Sequence, residues 1–228
     1  MSKSTSANFD ALIKETFESP LKYEFWPALE KHSQKLLIIL HGRGDSIEGF
    51  HWFPAALGLD NINTLFLQAP DKYGTGFSWY DLAPNQGPGI IRSRHLIFQL
   101  LDDLSSKLGI VLENIFLMGF SQGCLMCLDV ALRYPHFLNG IIGISGFLFF
   151  EDEYPGAFSR IAREQHFFIS HGYQDDVLPI ERTKNSVEFL KKEGIAIDWS
   201  PFHKTHTVDE VEEIPLIREF ISKLMEAN

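Results

Sequence analysis

A serine stands between two glycines in the stretch "IFLMGFSQG", where Gly119, Ser121 and Gly123 form the pattern G-x-S-x-G. A nucleophilic serine on a parallel sheet sits on a tight turn between a strand and a helix, and flanking glycines remove Cβ atoms that would collide with neighbouring backbone. An apolar run precedes this serine and a helical pattern follows at 124–133. The pattern predicts a nucleophile at Ser121. Ser145, in "GISGF", lacks the second spaced glycine, and we expect it to be structural.

A serine hydroxyl needs a base, and the base needs a carboxylate that orients it. On a sheet of this kind the expected chain order is Ser, then Asp or Glu, then His. After Ser121, the segment "HGYQDDVLP" offers Asp175 or Asp176, and "PFHKTHTVDEVEE" offers His203 or His206. The residues alone therefore leave two candidates for the acid and two for the base.

Acyl transfer also needs two backbone N–H groups that point at the developing oxyanion. One is expected from Gln122, directly after the serine. The other is expected from the glycine-rich turn "ILHGRGD", where the amide of Arg43 is the candidate donor. His41 and Gly42, in the same turn, are predicted to contact substrate.

Strands and helices must bring these segments together, and the sequence predicts both. Six near-continuous apolar runs are typical of strands that are covered on both faces. These runs are "LLIIL", "NTLFLQA", "NIFLMGF", "LNGIIGIS", "HFFIS" and "IAIDWS". Helical patterns alternate with them, including a C-terminal face that begins at Val211 and a segment that starts near Pro179 and stops before Gly194. The alternation predicts an α/β fold with a mostly parallel sheet and helices on both faces. An irregular loop is expected at 71–89, where glycine and proline are frequent.

Composition narrows the class of protein. The 228 residues include 20 basic and 30 acidic side chains, a formal charge of −10, which argues against nucleic acid as the main partner. The length predicts a single domain, 1–228. The start has no apolar signal segment, and no run approaches the ~18 to 20 apolar residues of a membrane span. Cys124 and Cys127 lack a second ligand cluster, so we expect two buried thiols, no metal and a reducing, cytoplasmic location.

Five ordered blocks resemble the phospholipase/carboxylesterase group of α/β-hydrolases, which includes acyl-protein thioesterases and bacterial carboxylesterases. The blocks are "LHGRGDS", "APDKYGTGFSWYDL", "GFSQGCLMCLDVAL", "HGYQDDVLP" and a histidine ahead of the last helix. They run from Leu36 to the end, whereas 1–35 match nothing; "FDALIKETF" is read as a helix and "LKYEFWPAL" as an edge strand. The resemblance implies an α/β-hydrolase fold, and the chain has no insertion long enough for a large lid domain.

The same resemblance implies roles for particular residues. The nucleophile falls on Ser121, the acid on Asp175, the base on His206, and the oxyanion amides on Arg43 and Gln122. The chain departs from the family pattern in having Asp176 where proline usually follows the acid, and Thr205 where glycine usually precedes the base.

An apolar acyl pocket is expected beside the serine. Phe77, Trp79, Phe147 and Leu148 are its predicted walls. The predicted function is a serine carboxylesterase without cofactor, acting on short- to medium-chain esters, with lysophospholipids, acyl thioesters and acylated proteins as alternative substrates. An acyl-protein thioesterase is the second hypothesis, and a non-catalytic ligand-binding protein on a hydrolase scaffold is the third. A monomer and a homodimer are both compatible with the sequence.

Overall fold

The computed structural model of the chain describes residues 8–151 and 153–227, and within them nine strands are found. The strands are β1 (Tyr23–Trp26), β2 (Leu36–Leu40), β3 (Asn63–Leu67), β4 (Asp71–Tyr73), β5 (Gly76–Ser78), β6 (Ile115–Phe120), β7 (Gly140–Ile144), β8 (Phe167–Gly172) and β9 (Ile197–Phe202). Seven of them form the main sheet in the order β1-β3-β2-β6-β7-β8-β9, and β4 pairs with β5 in a separate ribbon.

The main sheet is mostly parallel, as predicted. Its edge strand β1 is antiparallel to β3, with Tyr23 opposite Leu67, and the pairs from β3 through to β9 are parallel. The six predicted strands correspond to β2, β3, β6, β7, β8 and β9, and β1 is the edge strand expected in "LKYEFWPAL". The carboxyl ends of the parallel strands meet at one edge of the sheet, which is where loops that carry chemistry are expected in open α/β folds.

Seven α-helices connect or flank these strands in the described residues. They are α1 (Asp10–Ile13), α2 (Phe53–Leu57), α3 (Gln86–Leu108), α4 (Gln122–Arg133), α5 (Tyr154–Ala157), α6 (Ile180–Lys192) and α7 (Glu213–Glu226), with short 3-10 helices at Ile47–Phe50 and Leu112–Asn114. The predicted segment between Pro179 and Gly194 is α6, and Gly194 has φ +81°. The prediction that Val211 lies on the buried face of the last helix is wrong. Val211 precedes α7 and is 82% exposed, because the Asp209 carboxylate accepts its N–H in a turn ahead of the helix.

Helices cover both faces of the sheet, and the alternation of side chains along β2 makes this visible. Leu36, Ile38 and Leu40 belong to an apolar core with α3, α4 and α6. Leu37 and Ile39 point the other way, into a second core with α2 and α7. A strand buried on both faces has to be apolar at every position, which explains the unbroken run "LLIIL".

The segment 71–89 is more ordered than predicted. The ribbon β4–β5 occupies its first part, and α3 begins at Gln86. The ribbon is bonded to the loop after β2, since Gly44 N donates to Phe77 O at 2.7 Å and Phe77 N donates to Asp45 O at 2.9 Å. This pairing joins the predicted oxyanion loop to the predicted pocket loop. No lid domain is present among the described residues.

The two cysteines are free and buried, as predicted. Burial raises the pKa of both the Cys124 and the Cys127 thiol, so neither is a ready nucleophile. No helix in the described part of the chain is long and apolar enough to cross a membrane.

Candidate active site

The turn between β6 and α4 carries Ser121, which has φ 55° and ψ −113°. A positive φ is unfavourable for a residue with a side chain and is typical of functional turns. The two glycines are explained by close approach of backbone. A Cβ on Gly119 would lie 2.1 Å from the carbonyl oxygen of Gly123, and a Cβ on Gly123 would lie 2.1 Å from the carbonyl oxygen of Leu40. Neither position can hold a side chain unless the turn is displaced.

The side chain of His206 bridges the serine and an aspartate. Its Nε2 lies 3.0 Å from Ser121 Oγ, and its Nδ1 lies 2.7 Å from Asp175 Oδ2. A carboxylate can only accept here, so Nδ1 carries the proton and Nε2 is free to take one from the serine hydroxyl. His203, the other candidate, is exposed and packs against the Tyr173 ring at 5.1 Å instead.

The loop after β8 holds the carboxylate of Asp175 in place. Its Oδ1 accepts the backbone N–H groups of Val177 at 3.0 Å and Leu178 at 2.8 Å. The side chain is fully buried, and Nε2 of His171 lies 3.1 Å from its Oδ2. Burial lowers the pKa of His171, although its contacts with Leu178 O and Asp175 oppose that shift. Asp176 is exposed, so the structure brings Asp175 and not Asp176 to the histidine.

A buried ion pair supports the loop that carries His206. Lys204 Nζ lies 2.6 Å from both carboxylate oxygens of Glu213, and both side chains are almost fully inaccessible to solvent. Burial lowers the pKa of Lys204, and the Glu213 carboxylate acts in the opposite direction. Glu213 also accepts the backbone N–H of Asp209 at 2.8 Å. The loop is therefore bonded to the first turn of α7 at two points.

The two backbone amides expected to bind the oxyanion, those of Gln122 and Arg43, both belong to residues that line the cleft in front of the serine. Gln122 is the first residue of α4, so its amide has no acceptor within the helix. Its side chain is anchored by bonds from Trp79 N at 3.0 Å and to Tyr80 O at 2.8 Å. The amide of Arg43 forms no hydrogen bond to another described residue. Both donors are thus available to an external acceptor.

His41 lies beneath this loop rather than in contact with the cleft. It is 1% exposed, and its Nε2 accepts hydrogen bonds from Gln68 Nε2 at 2.8 Å and from Ala69 N at 3.1 Å. Burial lowers its pKa, while the contact with the Gly42 carbonyl opposes the shift. The prediction that His41 contacts substrate is wrong, because a buried, neutral imidazole supports the loop from below.

A cleft of about 650 Å³ opens in front of Ser121 and His206. Of the predicted contact residues, Gly42 and Phe147 line it. Its further lining residues, which sequence reasoning missed, are Gly44, Asp45, Tyr73, Tyr80, Leu82, Gln86, Phe120, Val177, Leu178 and Arg182.

Three predicted walls do not line the cleft. Trp79 is completely buried and donates from its indole nitrogen to His41 O at 2.9 Å. Leu148 is buried, and its N–H donates to Ser186 Oγ at 3.0 Å. Phe77 lies on the ribbon and packs against the core. Apolar composition predicted these residues to be near the site, but it does not show which way a side chain points.

The sheet, the serine turn and the order of Ser121, Asp175 and His206 along the chain define an α/β-hydrolase. Residues 24–225 match the phospholipase/carboxylesterase family, and the chain belongs to it, which confirms the predicted family and hydrolase class.

Named relatives agree with this membership. The chain is 32% identical over 167 residues to acyl-protein thioesterase 1 of Schizosaccharomyces pombe, covering 68% of this chain and 74% of the relative. It is 29% identical to acyl-protein thioesterase 1 of Emericella nidulans, covering 88% and 94%. In fold it is similar to a phospholipase/carboxylesterase of Dyadobacter fermentans, with a TM-score of 0.74 at 24% identity, covering 89% and 96%.

Proposed function

We propose that this protein hydrolyses carboxylic esters through Ser121 as nucleophile, His206 as general base and Asp175 as the orienting acid. The observation that carries the proposal is the continuous pair of hydrogen bonds, 3.0 Å from serine to histidine and 2.7 Å from histidine to aspartate. The three side chains come from three separate loops, and Ser121 and His206 both line the same cleft.

In the proposed mechanism, His206 Nε2 takes the hydroxyl proton as Ser121 Oγ attacks the ester carbonyl carbon. The amides of Arg43 and Gln122 donate to the oxyanion of the tetrahedral intermediate. His206 then gives the proton to the departing alcohol or thiol, and the carbon–oxygen or carbon–sulfur bond breaks. A water molecule, deprotonated by His206, attacks the acyl-enzyme, and the serine is regenerated with release of the acid.

The cleft supports acyl groups of short to medium length. Its volume of about 650 Å³ is within the usual range for small-molecule sites, and Leu82, Phe147 and Val177 contribute apolar surface. Val177 and Leu82 are exposed at its rim, so the cleft is open on one side. Lysophospholipids would fit the same arrangement, because a longer chain can extend past an open rim.

The test is hydrolysis of p-nitrophenyl esters from acetate to palmitate by the wild type and three variants. We expect Ser121→Ala and His206→Ala to lower kcat by about 10⁴-fold or more, because each removes a member of the relay. His203→Ala is the matched control, since it removes an exposed histidine from the same loop, and we expect no change. Wild-type activity that persists in Ser121→Ala would contradict the proposal. A wild type that turns over no ester would favour a ligand-binding protein instead.

Acyl-protein thioesterase activity is the second candidate, and the relatives of that name favour it. Ester and thioester cleavage use the same nucleophile and oxyanion donors, so the difference lies in the leaving group. The two are separated by comparing kcat/KM for an octanoyl thioester of a cysteine peptide with that for the octanoyl ester of the matching serine peptide. This candidate is supported if the ratio of kcat/KM for the thioester to kcat/KM for the ester exceeds the ratio of the spontaneous hydrolysis rates of the same two substrates.

A further inference from the structure

Two guanidinium groups line the cleft in front of the serine. Arg43 comes from the loop after β2, and Arg182 from the first turn of α6. The Arg43 group lies 4.1 Å from the centroid of the Tyr73 ring, and an N–H of the same group donates to the Tyr73 hydroxyl. The Arg182 group lies 3.5 Å from the centroid of the Phe147 ring. Each guanidinium thus rests on an aromatic wall of the cleft.

Neither group has an acidic partner among the described residues. The ion pairs of the structure include other arginines, such as Arg92 with Asp71 and Arg94 with Asp129, but not these two. Asp45 is the one carboxylate among the residues that line the cleft, and its Oδ1 accepts the backbone N–H of Ser46 at 2.8 Å. Stacking on a ring leaves the edge N–H donors of a guanidinium free to bond an external acceptor.

The two guanidinium groups in the cleft contrast with the negative net charge of the chain. With 30 acidic and 20 basic residues, the chain repels anions at long range. Burial raises the pKa of the Tyr80 hydroxyl, with Cys124 adding to the rise, and the charges of Arg182 and Arg43 act against it. Tyr80 lines the same cleft, so both cations exert their field where a substrate would bind. Among the described residues, two guanidinium groups and one carboxylate thus line the cleft of a protein whose net charge is negative.

We infer that the preferred substrate is an ester that carries a carboxylate or phosphate close to the scissile bond, bound by Arg43 and Arg182. The inference rests on the proposed ester hydrolysis, which it makes more specific. A planar guanidinium donates two parallel hydrogen bonds to either anion, and such charge-assisted bonds are stronger than neutral ones. The anion belongs to the acyl group or to the leaving group, and the experiment has one arm for each.

The acyl arm compares the p-nitrophenyl monoester of adipic acid with p-nitrophenyl methyl adipate. The leaving-group arm compares para-carboxyphenyl butyrate with its methyl ester. Each kcat/KM is divided by the rate of spontaneous alkaline hydrolysis of the same ester, and the anionic value is then divided by the neutral value. We expect this ratio to exceed one in at least one arm, and to fall about tenfold in Arg182→Gln, because one charged hydrogen-bond donor is lost. Lys192→Gln, an exposed charge at the far end of the same helix, is the matched control and should leave the ratio unchanged.

A ratio below one in both arms, or a ratio that is the same in Arg182→Gln and the wild type, would overturn the inference while leaving ester hydrolysis intact. Binding to the Ser121→Ala protein tests it without turnover. In calorimetry, 4-phenylbutyrate should bind more tightly than the neutral 4-phenylbutanamide, and the difference should shrink in the Ser121→Ala, Arg182→Gln double variant. Equal binding of the two ligands would refute the inference even if no ester were hydrolysed.

Discussion

The close approach of the serine turn to β2 predicts a large effect of a single methyl group at Gly123. In Gly123→Ala the new Cβ would lie 2.1 Å from Leu40 O, so the two backbones must separate by at least about 1 Å to reach an ordinary contact. Leu40 is held on both sides by pairing with β3 and β6, at Leu67 and Gly119. The first turn of α4 therefore moves, and it carries the Gln122 amide and Ser121 with it.

A displacement of this size is expected to lower kcat about 10²-fold, because reacting groups tolerate little misplacement. The same overpacking should lower the free energy of unfolding by about 1–3 kcal/mol. Activity on a p-nitrophenyl ester and urea denaturation measure the two effects. Gly156→Ala is the control, since a Cβ there meets no atom of the described part of the chain within 4 Å and φ is not positive. If Gly123→Ala matched the wild type in kcat and in stability, the steric account of the turn would be refuted.

Three further predictions concern the proposed acid and two buried groups that support the loops of the candidate site. Asp175→Asn should lower kcat by about 10⁴-fold, since the His206 imidazole loses the charge that orients it. Asp176→Asn, at an exposed residue, should leave kcat unchanged. Equal effects of the two substitutions on kcat would reject the assignment of Asp175 as the acid. Lys204→Met leaves the buried Glu213 carboxylate without a countercharge, so it should lower the free energy of unfolding in urea by about 3–5 kcal/mol. Part of this loss should be recovered in the Lys204→Met, Glu213→Leu double variant, and no loss in Lys204→Met would contradict the ion-pair argument. Because the pKa of His41 is lowered in the folded protein, this histidine takes up a proton at higher pH in the unfolded chain than in the folded one. The free energy of unfolding should therefore fall as the pH drops below ~6.5, by at most about 1.4 kcal/mol per pH unit from this group. In His41→Gln, the free energy of unfolding should depend less steeply on pH over this range.

The strands and the order of the site segments could be predicted from the sequence, for a physical reason. A strand covered on both faces needs an apolar residue at each position, so β2, β6 and β7 appear as unbroken apolar runs. The serine turn could also be predicted, because only glycine fits where two backbone segments are in contact, as at Gly119 and Gly123. Both signals depend only on the residue types within a short segment, so a single sequence is enough to detect them.

Side-chain direction was not predictable in the same way. Trp79 and Phe147 are both aromatic and near the site, yet only Phe147 lines the cleft, since the indole N–H of Trp79 is directed to a buried carbonyl. Nothing in the sequence indicated that Arg182 lines the cleft, because a charged residue in the first turn of a helix is common. Only the fold shows that this residue lies in the same cleft as the serine. The choice of Asp175 over Asp176 depended on family resemblance, and its cause is the pair of backbone N–H groups that only the folded loop presents.

Three loops of the candidate site are held by buried polar contacts that take no part in the proposed chemistry. His41 supports the loop proposed to bind the oxyanion, the Gln122 side chain joins the serine turn to Tyr80, and the Lys204–Glu213 pair anchors the loop of His206. Buried polar groups cost free energy unless they are fully bonded, so these contacts lock one loop geometry more than they add stability. Preorganised donors and bases lower the barrier because they need not reorganise during the reaction. Loosening the His41 support or the Lys204–Glu213 support should therefore reduce kcat before it alters KM, since none of these three side chains lines the cleft.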